Sequence, residues 1–211
     1  MKLTDLFEDY RLKFYEMYWT DIKIKEIIFD EWITDNGYDV IDNYWYELCE
    51  EFDIDPDTDY SDLNGNQKYE IKNWIKYHIF DEVFNKACDN LYSSIEINGY
   101  VDIWRMVSLR DFRTLKLKQI GKFWSWDARS ADAHWEQIGH RAYALIAGRV
   151  HVDEVEWIQT ITQNVVMPEE REIFVMPESP IAILGVEYMR SNKRNHPEKV
   201  KIFNPPKKAL A

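Results

Sequence analysis

Three short stretches carry side chains suited to breaking a bond at a sugar carbon. Glu170 and Glu172 stand two residues apart, directly before the apolar, β-prone run Ile173-Phe174-Val175. A carboxylate fixed at the start of a strand can stabilise positive charge developing on such a carbon. A second carboxylate just before it can reach an incoming nucleophile. Arg105, in Trp104-Arg105-Met106, offers a planar fork of donors for phosphate or ribose oxygens. Ser125, in Phe123-Trp124-Ser125-Trp126, offers a small hydroxyl that can fix the rotamer of a nearby glutamate. The aromatic rings around it can stack on a flat ligand ring or simply fill a core. Each type also has an ordinary reading alone: a solvated turn carboxylate, an ion-paired arginine, a strand hydroxyl.

These residues need strands to hold them, and the second half of the chain supplies candidates. Asn98-Gly99 reads as a turn before a strand over 100–107, and 143–152 reads as extended. Asp153 is placed to cap a short helix through Trp157, Ile158 and Ile161. Strands are expected over 173–176 and 181–188, separated by Pro177-Glu178-Ser179-Pro180, and a helix over 129–137. The first half reads as helical. Leu3, Leu6, Tyr10, Phe14 and Met17 keep a three-to-four spacing, as do Ile24, Ile27, Ile28 and Ile33, with Asn36-Gly37 as a stop signal. Further helices are expected around Tyr44–Phe52 and from Tyr69 to Ala87, flanking an acidic loop over 53–65. The fold class is therefore α+β. A helical domain spans 1–92, a β-rich domain with helices spans 93–190, and a basic surface tail spans 191–211.

Charge divides along the same line. Residues 1–90 hold 23 acidic and 9 basic residues, a net of −14, whereas residues 91–211 hold 15 and 17, a net of +2. The acidic half repels nucleic acid and steers towards a basic partner, or serves simply as a solvated helical face. No apolar run approaches the roughly 20 residues of a membrane span, and the stretch from Met1 to Asp5 has no apolar signal region. A cytoplasmic protein is expected, with Cys49 and Cys88 as reduced, packed thiols.

The order arginine, aromatic-Ser, Glu-x-Glu resembles the arginine-type mono-ADP-ribosyltransferases, including phage and bacterial effector members. The segments 152–157 and 128–135 resemble them too. The resemblance implies a two-sheet β core with NAD, the substrate, held between the sheets. It implies that Arg105 grips NAD, that Ser125 orients the catalytic Glu172, and that Glu170 activates an arginine acceptor. Trp104, Met106, Phe123, Trp124 and Trp126 would complete the NAD site. The chain departs from the family at Met106, where a glycine is frequent, and at Trp124-Ser125-Trp126, which lacks the second and third hydroxyls of a Ser-Thr-Ser motif.

The expected activity is thus ADP-ribosylation of a basic, nucleic-acid-handling protein, such as a polymerase or a defence complex, with no direct binding to nucleic acid. A non-enzymatic alternative is an acidic inhibitor whose helices imitate a phosphate backbone. A third reading, modification of nucleic acid itself, rests on the basic tail with Lys193, Arg194, Lys199, Lys201, Lys207 and Lys208. No metal is expected. Asp53 to Asp59 lacks the central glycine and final glutamate of a calcium loop, and His134, His140 and His151 lack ligand spacing. No P-loop and no glycine fingerprint of a dinucleotide fold occurs.

Overall fold

The computed structural model describes residues 9–108, 123–131, 142–191 and 197–203. Its helical half is built on acidic and amide caps. Asp9 accepts from the backbone N–H groups of Arg11 and Leu12 and starts α1 (Tyr10–Phe14), which runs into a π-helical turn over Tyr15–Trp19. Asp21 does the same through Lys23 and Ile24 and starts α2 (Ile22–Asn43), a helix about 33 Å long. Next come α3 (Trp45–Phe52) and α4 (Gly65–Ile75), the latter opened by a capping box between Asn64 and Gln67. A second π-helical turn, Lys76–Phe80, leads into α5 (Asp81–Ser94).

One expected stop does not stop the chain. The helix α2 passes through Asn36-Gly37 to Asn43. Gly37 is buried, and the Ile33 side chain occupies the space beside it. A glycine in a helix costs only about 1 kcal/mol relative to alanine. Burial of Ile28, Phe29 and Trp32 on the same helix outweighs that cost.

The second half forms a sheet of β1 (Tyr100–Ser108), β2 (Phe123–Ser125), β3 (Ala142–His151), β4 (Glu172–Phe174), β5 (Ala182–Ser191) and β6 (Pro197–Phe203). Its order is β4-β2-β1-β3-β5-β6, and neighbouring strands are antiparallel. The described strands therefore make one sheet rather than the two expected. Within the basic surface tail, residues 197–203 form β6 and cover the outer edge of β5. Helix α6 (Trp157–Val166) enters between β3 and β4. Asp153 does not cap it. Asp153 lies in a 3₁₀ turn over Val152–Glu154 that is capped by His151, and α6 begins after Glu156 with no side-chain cap.

The register of β1 on β3 is reinforced by a cross-strand ion pair. Asp102 faces Arg149, whose guanidinium donates to Asp102 at 2.6 and 3.1 Å and to Glu96 at 2.7 Å. A single cluster of buried side chains runs from Phe14 through Ile28, Phe80 and Phe84 to Ile103, Ile146, Ile161 and Ile173, so helices and sheet share one core. Residues 128–131 are helical. Leu3, Leu6, Gly121, Lys122, His134, His140, the rest of the helix expected to 137, and Lys193, Arg194, Lys207 and Lys208 lie outside the described residues. Among the described residues, no helix is long and apolar enough to cross a membrane.

Cys49 and Cys88 are buried free thiols. Burial pushes Cys88 up to about 12 and raises Cys49 as well. A thiol reagent at pH 8 is expected to leave Cys88 unreacted in the native protein and to label both thiols after unfolding; rapid native labelling of Cys88 would contradict this packing. Gly99, at φ +79°, presents its α-carbon to the Tyr10 ring, and an added Cβ would lie 2.7 Å from that ring. Gly99→Ala is expected to lower stability by about 1–3 kcal/mol, measured by denaturant unfolding.

Candidate functional site

The three chemistry-bearing stretches meet at one cleft of about 500 Å³. It is lined by Trp104, Arg105 and Met106 from β1, by Phe123, Trp124 and Ser125 from β2, and by Glu170 and Glu172 at the start of β4. Its size falls within the roughly 300–1,000 Å³ of small-molecule sites. Pairing sets the frame: Trp104 faces Ser125 on β2, and Ser125 faces Glu172 on β4, so these three form one row across the sheet.

Arg105 is half-buried, and its Nη1 donates to the Phe123 carbonyl at 2.7 Å. Burial lowers its pKa, while the carboxylate of Glu172 acts in the opposite direction. An arginine nonetheless stays charged at any physiological pH. The guanidinium is thus tethered by one N–H, and its fork has further donors for a ligand oxygen.

Ser125 is buried but does not hold the Glu172 carboxylate. Its hydroxyl lies 3.1 Å from the Arg171 carbonyl, 3.3 Å from that of Glu170 and 3.0 Å from that of Asp127, and it accepts from the Asp127 N–H. A hydroxyl has one proton, so it satisfies one of these carbonyls at a time. Ser125 therefore fixes the backbone that leads into Glu172 rather than its side-chain rotamer.

That backbone is bent at the middle residue of Glu-x-Glu. Arg171 has φ +50°, in the left-handed region that costs an ordinary residue roughly 1–2 kcal/mol. Several contacts hold it there. Its guanidinium donates to Asp127 at 3.0 Å and lies 5.1 Å from the centre of the Trp126 ring. Its carbonyl accepts from the Trp126 N–H at 3.0 Å. Trp126 does not line the cleft; it braces Arg171 instead. Trp124 is 2% exposed and serves mainly as core, whereas Phe123 is 48% exposed and packs edge-on against Phe174.

Helix α6 supplies residues that the sequence pattern did not single out. Asn164 is buried; its Nδ2 donates to the Glu172 carbonyl and the Thr160 carbonyl, both at 2.7 Å, and its Oδ1 accepts from Trp126 Nε1 at 3.4 Å. Thr160, fully buried, accepts from the Phe174 N–H at 3.0 Å. Gln163 lines the cleft, and its Nε2 approaches the Glu170 carboxylate at 3.4 Å. Asp127 starts the helical turn over 128–131, accepting from the Ser130 N–H and hydroxyl. The available signal was Thr160 and Asn164, uncharged polar residues four apart that adjoin the apolar stripe Trp157, Ile161 and Val165.

Other polar groups have structural roles. Asp55 and Asp59 accept from backbone N–H groups within the acidic loop, and the bond from Ser61 holds Asp59 below its usual carboxylate value. Among the described residues, no group of three His, Cys, Asp or Glu is arranged to hold a metal.

Thr160→Val, which removes the acceptor for the Phe174 N–H, is expected to cost about 1–3 kcal/mol. Asn164→Ala, which abandons two carbonyls and leaves a cavity, is expected to cost about 2–4 kcal/mol. Urea unfolding measures both; a change under half a kcal/mol in either would contradict the support assigned to α6.

Comparisons with protein-family models, with curated proteins and with solved structures give no match for this chain.

Proposed function

We propose that the protein is an NAD-dependent mono-ADP-ribosyltransferase acting on arginine in a basic target protein. The observation that carries this reading is the convergence of Arg105, Ser125, Glu170 and Glu172 on one cleft from three separate strands and the turn before β4. The single sheet of described strands lends it no support beyond a mixed α+β fold, so the reading rests on the cleft alone.

In this reading Arg105 binds the diphosphate of NAD through donors not engaged by Phe123. The bond between nicotinamide and ribose breaks, and nicotinamide leaves with the electron pair. Glu172 faces the resulting oxocarbenium-like C1 and stabilises its charge. The acceptor guanidinium attacks C1 through a nitrogen, and Glu170 takes the proton that the nitrogen loses. Ser125, Asn164 and the bent Arg171 fix the backbone that carries both carboxylates, which limits reorganisation during the reaction. The acidic helices recruit the target.

A second reading has its own observation. Glu31, Asp35, Asp39 and Asp42 are all exposed on α2 at helical spacing, and no Lys or Arg occurs between Lys25 and Lys68. That face suits a stoichiometric blocker of a basic surface, with the cleft serving only as scaffold.

Labelled NAD incubated with the protein and a cell lysate decides between them. The transferase reading expects a labelled protein band and a loss of about 10²-fold or more in rate for Glu172→Gln. Arg105→Lys should raise KM for NAD about tenfold with a smaller effect on kcat. Absence of label, with Glu172→Gln still capturing a basic partner as well as wild type, would overturn it in favour of the blocker.

A further inference from the structure

A second cavity, of about 390 Å³, lies where the first helical turns meet the start of α6. Its walls are aromatic and its rim is charged. Tyr10 and Tyr18 come from the N-terminal helical segment and Trp157 from α6, with the Tyr18 and Trp157 rings 6.2 Å apart. Lys13, Asp153 and Glu156 stand at the same cavity. Burial raises the Tyr18 phenol, and the charges of Lys13, Asp153 and Glu156 all act on it, so these groups surround one point.

The chain shows which chemistry this place accepts. The Lys13 ammonium lies 5.6 Å from the centre of the Tyr10 ring and 3.5 Å from Asp153 Oδ1. A cation over a ring, beside a carboxylate, is favourable. Lys13 and Asp153 remain 39% and 56% exposed, and a pair that wet contributes at most about 1 kcal/mol. The pair itself therefore offers little resistance to a better cation. Met17 and Ile158, 47% and 40% exposed, give an apolar edge for the stem of an incoming side chain.

We propose that this cavity is a docking site for an arginine side chain of a protein partner, which displaces Lys13 from the Tyr10 ring and stacks there beside Tyr18, with Asp153 and Glu156 as its counter-ions. A guanidinium is planar, weakly hydrated and stacks on aromatic faces, so it fits better than an ammonium. The surrounding charge favours the same partner, because residues 1–90 carry a net of −14. The site uses none of the residues of the NAD cleft, so it stands apart from the transferase reading.

Calorimetric titration of the whole protein, without NAD, with a short arginine-rich peptide tests this directly. Asp153→Asn combined with Glu156→Gln should weaken binding about tenfold, whereas Asp35→Asn combined with Asp39→Asn on α2 should change it less than about twofold. Tyr18→Phe should bind as wild type and Tyr18→Ala should weaken. Lys13→Met should tighten binding about two- to threefold, a gain that general loss of structure cannot mimic. A lysine peptide of equal length should bind less well. The proposal is overturned if wild type does not bind, if the α2 pair weakens binding as much as the cavity pair, or if Lys13→Met weakens it. Thermal melts establish that each variant is folded. Should Tyr18→Ala not fold, the exposed carboxylate pair and Lys13→Met decide the matter. Since labelling from NAD has no part in the readout, failure here leaves the transferase reading standing.

Discussion

The short strand β4 has three residues and two hydrogen-bonding edges, and the site depends on both edges being satisfied. One edge pairs with β2, placing Ser125 opposite Glu172. Among the described residues, the other has no neighbouring strand within the sheet, only the bridge of Val155 with Val175 just past its end. Side chains and backbone from α6 and its approach take that role: Asn164 donates to the Glu172 carbonyl, Thr160 accepts from the Phe174 N–H, and the Glu156 N–H donates to the Phe174 carbonyl. A buried strand edge left unsatisfied would cost a hydrogen bond at every other residue. Thr160 and Asn164, four residues apart on one helix face, match groups of β4 two residues apart. A strand advances about 6.6–6.8 Å over two residues and a helix about 6 Å over four, so the two periods agree closely.

This arrangement makes α6 the link between the halves of the molecule. Its apolar residues, Trp157, Ile161 and Val165, enter the common core, and Phe14 meets Trp157 with ring centres 4.7 Å apart. Its polar residues turn towards β4 and Glu170. The same helix therefore carries the packing of the acidic helices and the support of the carboxylate pair. Displacing it costs core burial and the hydrogen bonds of β4 together, which is a reason for the site to be held rigidly.

How far the sequence was legible follows from what each feature depends on. Strands β1 and β3 were readable because their side chains alternate and a turn signal precedes β1. The grouping of Trp104–Met106, Phe123–Ser125 and Glu170–Glu172 around one cleft was suggested by motif order, and the described structure does bring them together. Trp126 adjoins Ser125 in sequence, which suggests the cleft, yet it lies past the end of β2, where the chain bends and the ring braces Arg171. Ser125 was expected to touch a side chain and instead meets carbonyls, a distinction that residue type cannot carry. Asn36-Gly37 looked like a helix end because local propensity says so, and burial of Gly37 overrides it. Pro197–Phe203 looked like a tail because its composition is basic and proline-rich, while pairing with β5 depends on an edge that only the fold reveals.

The electrostatics of the cleft follow from the same geometry. Arg105 is taken partly out of water, and that alone disfavours its charge. The nearby Glu172 carboxylate acts in the opposite direction and offsets part of that penalty. The pairing has a consequence for ligands. An anionic group that reaches Arg105 brings a second negative charge near Glu172, and that arrangement is favourable only while positive charge lies between them. In the transferase reading proposed above, a ligand with a diphosphate at one end and a carbon that becomes positive at the other would meet the condition best at the moment its bond breaks, and the cleft would suit a charge-separated transition state more closely than a resting anion.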